Sequence, residues 1–263
     1  MLTETERTRS KPSLAGGIGI VVLAYSANAW FNHTAVGLAL KSHEGAYVFG
    51  FFLPFGVVLP ALFLGWVTTV GLAPARWLGV QLGWRDVGAT AAALAAGALL
   101  ATAPLAPVLG EPGGMTAVQR LFALLLVAST AEVLVFLGVL GTAAQLAAGG
   151  ATRWRSGLIA LVTSSLAFGF FHLTYPAPWN TIATCLGLSV VWAGVSLVFL
   201  FSRRLVAAIA FNNVMAVVGF AQGGIELSGT PAVGWLQAIL ALLVFSLVFS
   251  KVRRRRRRVQ PGR

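Results

Sequence analysis

From residue 14 to residue 250 the chain is a series of long apolar runs separated by short polar breaks. About 20 consecutive apolar residues in helical form span the hydrocarbon of a bilayer. Eight runs reach that length and predict transmembrane helices at about 14–34, 46–73, 87–108, 117–147, 157–175, 179–201, 204–222 and 232–250. Pro54 and Pro60 predict a kink in the second, because proline has no N–H to donate and its ring crowds the preceding turn. The third is rich in Ala and Gly, which lets helices approach closely. The fourth is longer than a bilayer needs and must tilt or protrude. No internal repeat is visible. The pattern predicts an all-α polytopic transmembrane bundle of about eight helices. A polar tail at 1–13 precedes a transmembrane domain at 14–250, and a basic tail follows at 251–263.

Composition agrees with this reading. The chain is 57% hydrophobic and only 10% charged, whereas a soluble domain carries about 25% charged residues. Its net charge is +12, which raises the question of a nucleic-acid partner. The basic residues are spread over the loops and not gathered on one face, so nucleic acid is excluded and membrane lipid is the expected partner. The run Arg253–Arg258 follows the last apolar segment, where such runs fix orientation and meet anionic headgroups. Short loops rich in Lys and Arg stay in the cytoplasm. With both termini placed there, Arg7, Arg9, Lys11, Arg76, Arg85, Arg153, Arg155, Arg203 and Arg204 all fall inside, and only Lys41 and Arg120 fall outside. A multi-pass cell-membrane protein with cytoplasmic termini is therefore expected. The first eleven residues are polar and the apolar run after them is long, so no cleavable signal peptide is expected. Cys185 is the single cysteine, cannot form an internal disulfide, and reads as a small buried hydrophobe. No Cys/His cluster has zinc-ligand spacing, so neither metal nor cofactor is expected.

Few residues within the apolar spans can carry chemistry. Of seven acidic residues, six fall in tails or loops, and Glu132 alone lies inside an apolar segment. His172 lies in the fifth span, and Asn212 and Asn213 lie in the seventh. An ionisable group in lipid costs several kcal/mol (~2.5–3.5 on insertion scales) unless paired or wet, so it faces the bundle interior. Structural roles are open to each: a protonated Glu132 bonded to a neighbouring helix, His172 capping a helix end, an asparagine bridging helices. Together, an acid, an imidazole and an amide on three helices also suit water-mediated hydrolysis. The carboxylate would act as base on water, the imidazole would orient that water, and the amide would stabilise an oxyanion. By helical rise, His172 lies roughly 8 Å from the outer edge of the hydrocarbon, and Glu132 and Asn213 lie roughly 16–18 Å from it.

Residues 117–221 resemble the core of the CPBP family, the CAAX-processing and bacteriocin-self-immunity (Abi) intramembrane proteases. That family carries Glu-Glu-x-x-x-Arg, Phe-x-x-x-His and His-x-x-x-Asn motifs on successive core helices. Phe168 and His172 match the second motif. Glu132, Phe136 and Gly138 keep part of the first, with Val133 and Leu137 in place of the second Glu and the Arg. Asn213 keeps the Asn of the third, with Ile209 in place of its His. The resemblance implies an endopeptidase in which Glu132 is the base, His172 its partner and Asn213 the remaining oxyanion donor, acting on a hydrophobic or membrane-associated peptide. Two alternatives stand beside it. One is a non-catalytic relative that binds a hydrophobic peptide or partner. The other is a small proton-coupled transporter using Glu132.

Overall fold

The structure, a computed structural model, describes residues 4–42, 47–72, 84–148, 153–223 and 231–259. The chain runs through α1 (Glu4–His33), α2 (Ala35–Lys41), a π-helical segment (Val48–Val58), α3 (Leu59–Thr69) and α4 (Trp84–Leu109). It continues through α5 (Gly114–Glu132), a second π-helical segment (Val133–Gly141), α6 (Thr142–Ala147) and α7 (Arg153–Phe171). A 3-10 turn (His172–Thr174), α8 (Ile182–Ser202), α9 (Leu205–Gln222) and α10 (Pro231–Val259) complete it. The fold is all-α, and no strand occurs among the described residues. Eight spans are long and apolar enough to cross a membrane: Leu14–His33, Val48–Thr69, Trp84–Leu109, Gly114–Ala147, Trp154–Thr174, Ile182–Ser202, Leu205–Gln222 and Ala232–Val252. They coincide with the eight apolar runs to within a few residues. We call the end of the bundle at which α1 finishes its head, and the opposite end its foot.

The fourth span is the most deeply buried and forms the axis. α9 and α10 pack along α5, α4 packs along α9, and α7 along α8. Small residues set these approaches. A Cβ at Gly56 would collide with Ala131, and one at Gly169 would collide with Ser189 Oγ and the Cys185 carbonyl. Burying these helix faces against each other rather than lipid gains mainly van der Waals contact, which is why close approach matters here.

Two features depart from the sequence reading. The proline-bearing second span widens into a π-helical segment. Leu59 N–H bonds the Pro54 carbonyl five residues back, since Pro54 has no N–H and its ring displaces the regular ladder. The long fourth span also widens, over Val133–Gly141, immediately after Glu132. The second departure is Asp86, which the sequence placed among loop acids. It is buried in the first turn of α4, where a carboxylate opposes the helix dipole favourably, and it pairs with Arg204 at 3.2 Å. Arg204 precedes the first residue of α9, so this ion pair ties two helix starts together at the foot.

Candidate functional site

Glu132 ends α5, and the π-helical turn begins one residue later. Asn212 of α9 donates its Nδ2 hydrogen to Glu132 Oε2 at 3.0 Å. Glu132 belongs to the wall of a cavity of about 10 Å³ whose accessible lining is apolar. Ala24 of α1, Phe51, Phe52 and Gly56 of the first π-helical segment, Phe136 and Phe171 complete most of its wall. Glu132 is the one ionisable residue in that wall. Both π-helical segments therefore contribute to this wall. The carboxyl is held by an amide inside the bundle, while the accessible wall of the adjoining cavity is apolar.

The other two candidates lie apart from this cavity. Asn213 is fully buried. It donates Nδ2–H to the Phe122 carbonyl at 2.8 Å and accepts from Ser129 Oγ at 3.1 Å. Its amide thus clamps α9 to α5, while its neighbour Asn212 serves the carboxyl. His172 opens the 3-10 turn at the head end of α7. Its Nδ1 sits 3.0 Å from the Phe168 carbonyl. That contact requires Nδ1–H and leaves Nε2 as the acceptor. The ring stacks on Tyr175 (centroids 5.2 Å apart, 22° between planes) and meets Phe168 edge-on at 4.7 Å. Phe168 in turn stacks on Trp192 at 3.8 Å. The structure brings Glu132 to Asn212, and it brings neither His172 nor Asn213 to the cavity wall.

A polar cluster that the sequence reading passed over lies at the head, above the cavity. Asn28, wholly buried, donates to Thr174 Oγ1 at 2.7 Å and accepts from Asn32 Nδ2 at 3.1 Å. Tyr47 donates its hydroxyl hydrogen to Asn28 Oδ1. Lys41 Nζ donates to Asn32 Oδ1 at 2.6 Å and lies 4.8 Å from the Tyr47 ring centroid. The hydroxyls of Tyr175 and Tyr47 interact, and both lie within electrostatic reach of Glu132. Burial above all pushes both tyrosine hydroxyls above their usual range, with Tyr47 next for Tyr175 and Glu132 a smaller contribution to each. Burial also pulls the Lys41 amine below its usual range. One signal was available: Asn28 and Asn32 are an i, i+4 pair, hence one face of an apolar helix. Tyr47 and Tyr175 were masked because tyrosine at a span end reads as an interfacial anchor.

No protein-family model, curated protein or solved structure matches this chain. Among the described residues, no three His, Cys, Asp or Glu side chains gather as a metal site requires.

Proposed function

We propose that the chain is a divergent intramembrane glutamic endopeptidase of the CPBP type, cleaving membrane-associated peptides or proteins. One observation carries this reading: the Glu132 carboxyl lies within the bundle and is held there by Asn212, and the water it would act on enters with the substrate. In the proposed reaction Glu132 takes a proton from that water as its oxygen attacks the scissile carbonyl carbon. The same proton then passes to the departing amine. Asn212 fixes the carboxylate, and the resemblance assigns His172 and Asn213 to the water and the oxyanion. A peptide needs more room than the cavity beside Glu132 offers, so α1 and the first π-helical segment must part to admit it. By the distribution of Lys and Arg, the protein sits in the cell membrane with its foot and both termini in the cytoplasm.

A second reading, a non-catalytic relative that binds a hydrophobic peptide, is favoured by the Asn213 amide, which is already engaged by Ser129 and Phe122. Glu132→Gln keeps size and hydrogen bonding but cannot accept the proton. In proteoliposomes supplied with membrane-associated peptides, it should abolish cleavage while leaving expression intact. Wild-type protein that never cleaves, with binding unchanged in Glu132→Gln, would instead favour the binder. Loss of pH-dependent transport without any proteolysis would favour a proton-coupled carrier. Ile209→His restores the third motif one turn from Asn213 and should raise a weak activity. No gain in a folded variant would count against the hydrolytic reading.

A further inference from the structure

Along its own helix Glu132 sits at a boundary. Toward the foot, all nine residues of Val133–Gly141 are buried and none is polar. Toward the head, three phenylalanines of the cavity wall each touch a tyrosine ring. Tyr47 stacks on Phe51 (5.2 Å, 18°) and meets Phe52 edge-on at 4.9 Å. Tyr175 meets Phe171 edge-on at 5.5 Å. Both tyrosines thus pack on wall residues of the cavity; their hydroxyls interact with one another and feel the Glu132 carboxyl, and both residues are half-buried at the end of the bundle. Asn28 holds the Tyr47 hydroxyl in place and is itself held by Asn32 and Thr174.

We infer that Glu132 exchanges its proton with solvent at the head of the bundle through the hydroxyls of Tyr175 and Tyr47. Each hydroxyl accepts one proton and releases its own, Tyr47 turning its O–H from Asn28 Oδ1 to do so, and each turns back before the next passage, so nothing is consumed. Neutral phenols suit this because each is both donor and acceptor. The charged and titratable neighbours are Lys41, over the Tyr47 ring, and His172, stacked on Tyr175. The apolar stretch from Val133 offers no oxygen or nitrogen side chain before Thr142. This route serves Glu132 in any chemistry and does not rest on the protease reading.

The test uses the full-length protein in lipid films and no substrate. The infrared carboxyl band that disappears in Glu132→Gln is followed across a pH series, and its exchange rate is recorded after a switch from light to heavy water. Tyr175→Phe and Tyr47→Phe should each slow exchange by about tenfold or more, since each removes one hydrogen-bonded step. Tyr25→Phe should leave the rate unchanged. Tyr25 also touches the wall at Phe136 and Phe171, but its hydroxyl is committed to the Ala167 carbonyl. Unfolding would speed exchange, so a slower rate cannot come from a damaged fold. Unchanged or faster exchange in either phenylalanine variant overturns the route, as does a wild-type protein with no Glu132 carboxyl band at any pH. Failure to find peptide cleavage leaves this result untouched.

Discussion

Asn212 and Asn213 are consecutive on α9 and project about 100° apart. One step along the helix therefore separates an amide that holds the carboxyl from an amide that clamps two helices. Asn213→Ala removes both clamp bonds and should cost about 1–2 kcal/mol, the usual scale for interhelical hydrogen bonds in membranes. Ser129→Ala removes one of them and should cost less. Thermal unfolding of the purified protein in detergent measures both, and a fully stable Asn213→Ala protein would contradict the clamp. An oxyanion role would add a fall in kcat of about 100-fold in the folded fraction, a separate quantity that distinguishes the hydrolytic reading from the binder. The sequence identified Glu132 because a lone acid in an apolar run is conspicuous. It could not say which amide would reach it, since the motif spacing points to Asn213 and the helix rotation delivers Asn212.

The elements around the carboxyl are placed by residues with no chemistry of their own. Gly56 lets the first π-helical segment lie against Ala131, one residue before Glu132, and Gly169 lets α7 lie against Ser189 and Cys185 of α8. Gly169→Ala forces side chain against backbone and should destabilise the protein by roughly 1–3 kcal/mol, as overpacking does. Gly187→Ala, also on α8, meets nothing within 4 Å and should be neutral or mildly stabilising. Equal melting of the two variants would show that the close crossing does not limit α7–α8 packing. At the foot, Asp86→Ala strands Arg204 in a largely buried setting and should cost about 3–5 kcal/mol. Arg204→Ala should cost a similar amount, and the double variant clearly less than the two together. The spans themselves were legible because bilayer thickness sets their length and loops must be polar. The π-helical turns were not. Pro54 marks a break in the regular ladder of the second span but not that the break widens the helix, and in the fourth span a shift from four-residue to five-residue bonding over Val133–Gly141 leaves no period in the sequence.

At the scale of the whole molecule, the uneven distribution of basic residues becomes a statement about two ends. Lys41 and Arg120 belong to the head, whereas Arg85, Arg155, Arg204 and Lys251 belong to the foot, as do the helix starts and ends that carry Arg7, Arg9, Lys11, Arg153 and Arg253–Arg258. Arg76 and Arg263 lie outside the described residues. Reversing the bundle would carry this whole foot across the membrane, against the preference for retaining Lys and Arg in the cytoplasm. A reporter active only outside the cytoplasm, fused after Arg263, should accordingly be silent, while one inserted after Ser42 should be active. The Arg253–Arg258 run is the largest single contributor, yet orientation should not depend on it. Replacing all six with serine leaves the basic residues that flank the first helix, which usually dominate the outcome, and those of the other foot loops. The terminal reporter should stay silent in that variant. What the run should control is surface attraction, at about 1 kcal/mol for each cation near an anionic leaflet. The variant's C-terminal segment should therefore lose its protection from added protease in vesicles rich in anionic lipid and keep its sidedness. A terminal reporter that becomes active in the serine variant would show that the tail, and not the summed charge of the foot, sets the topology.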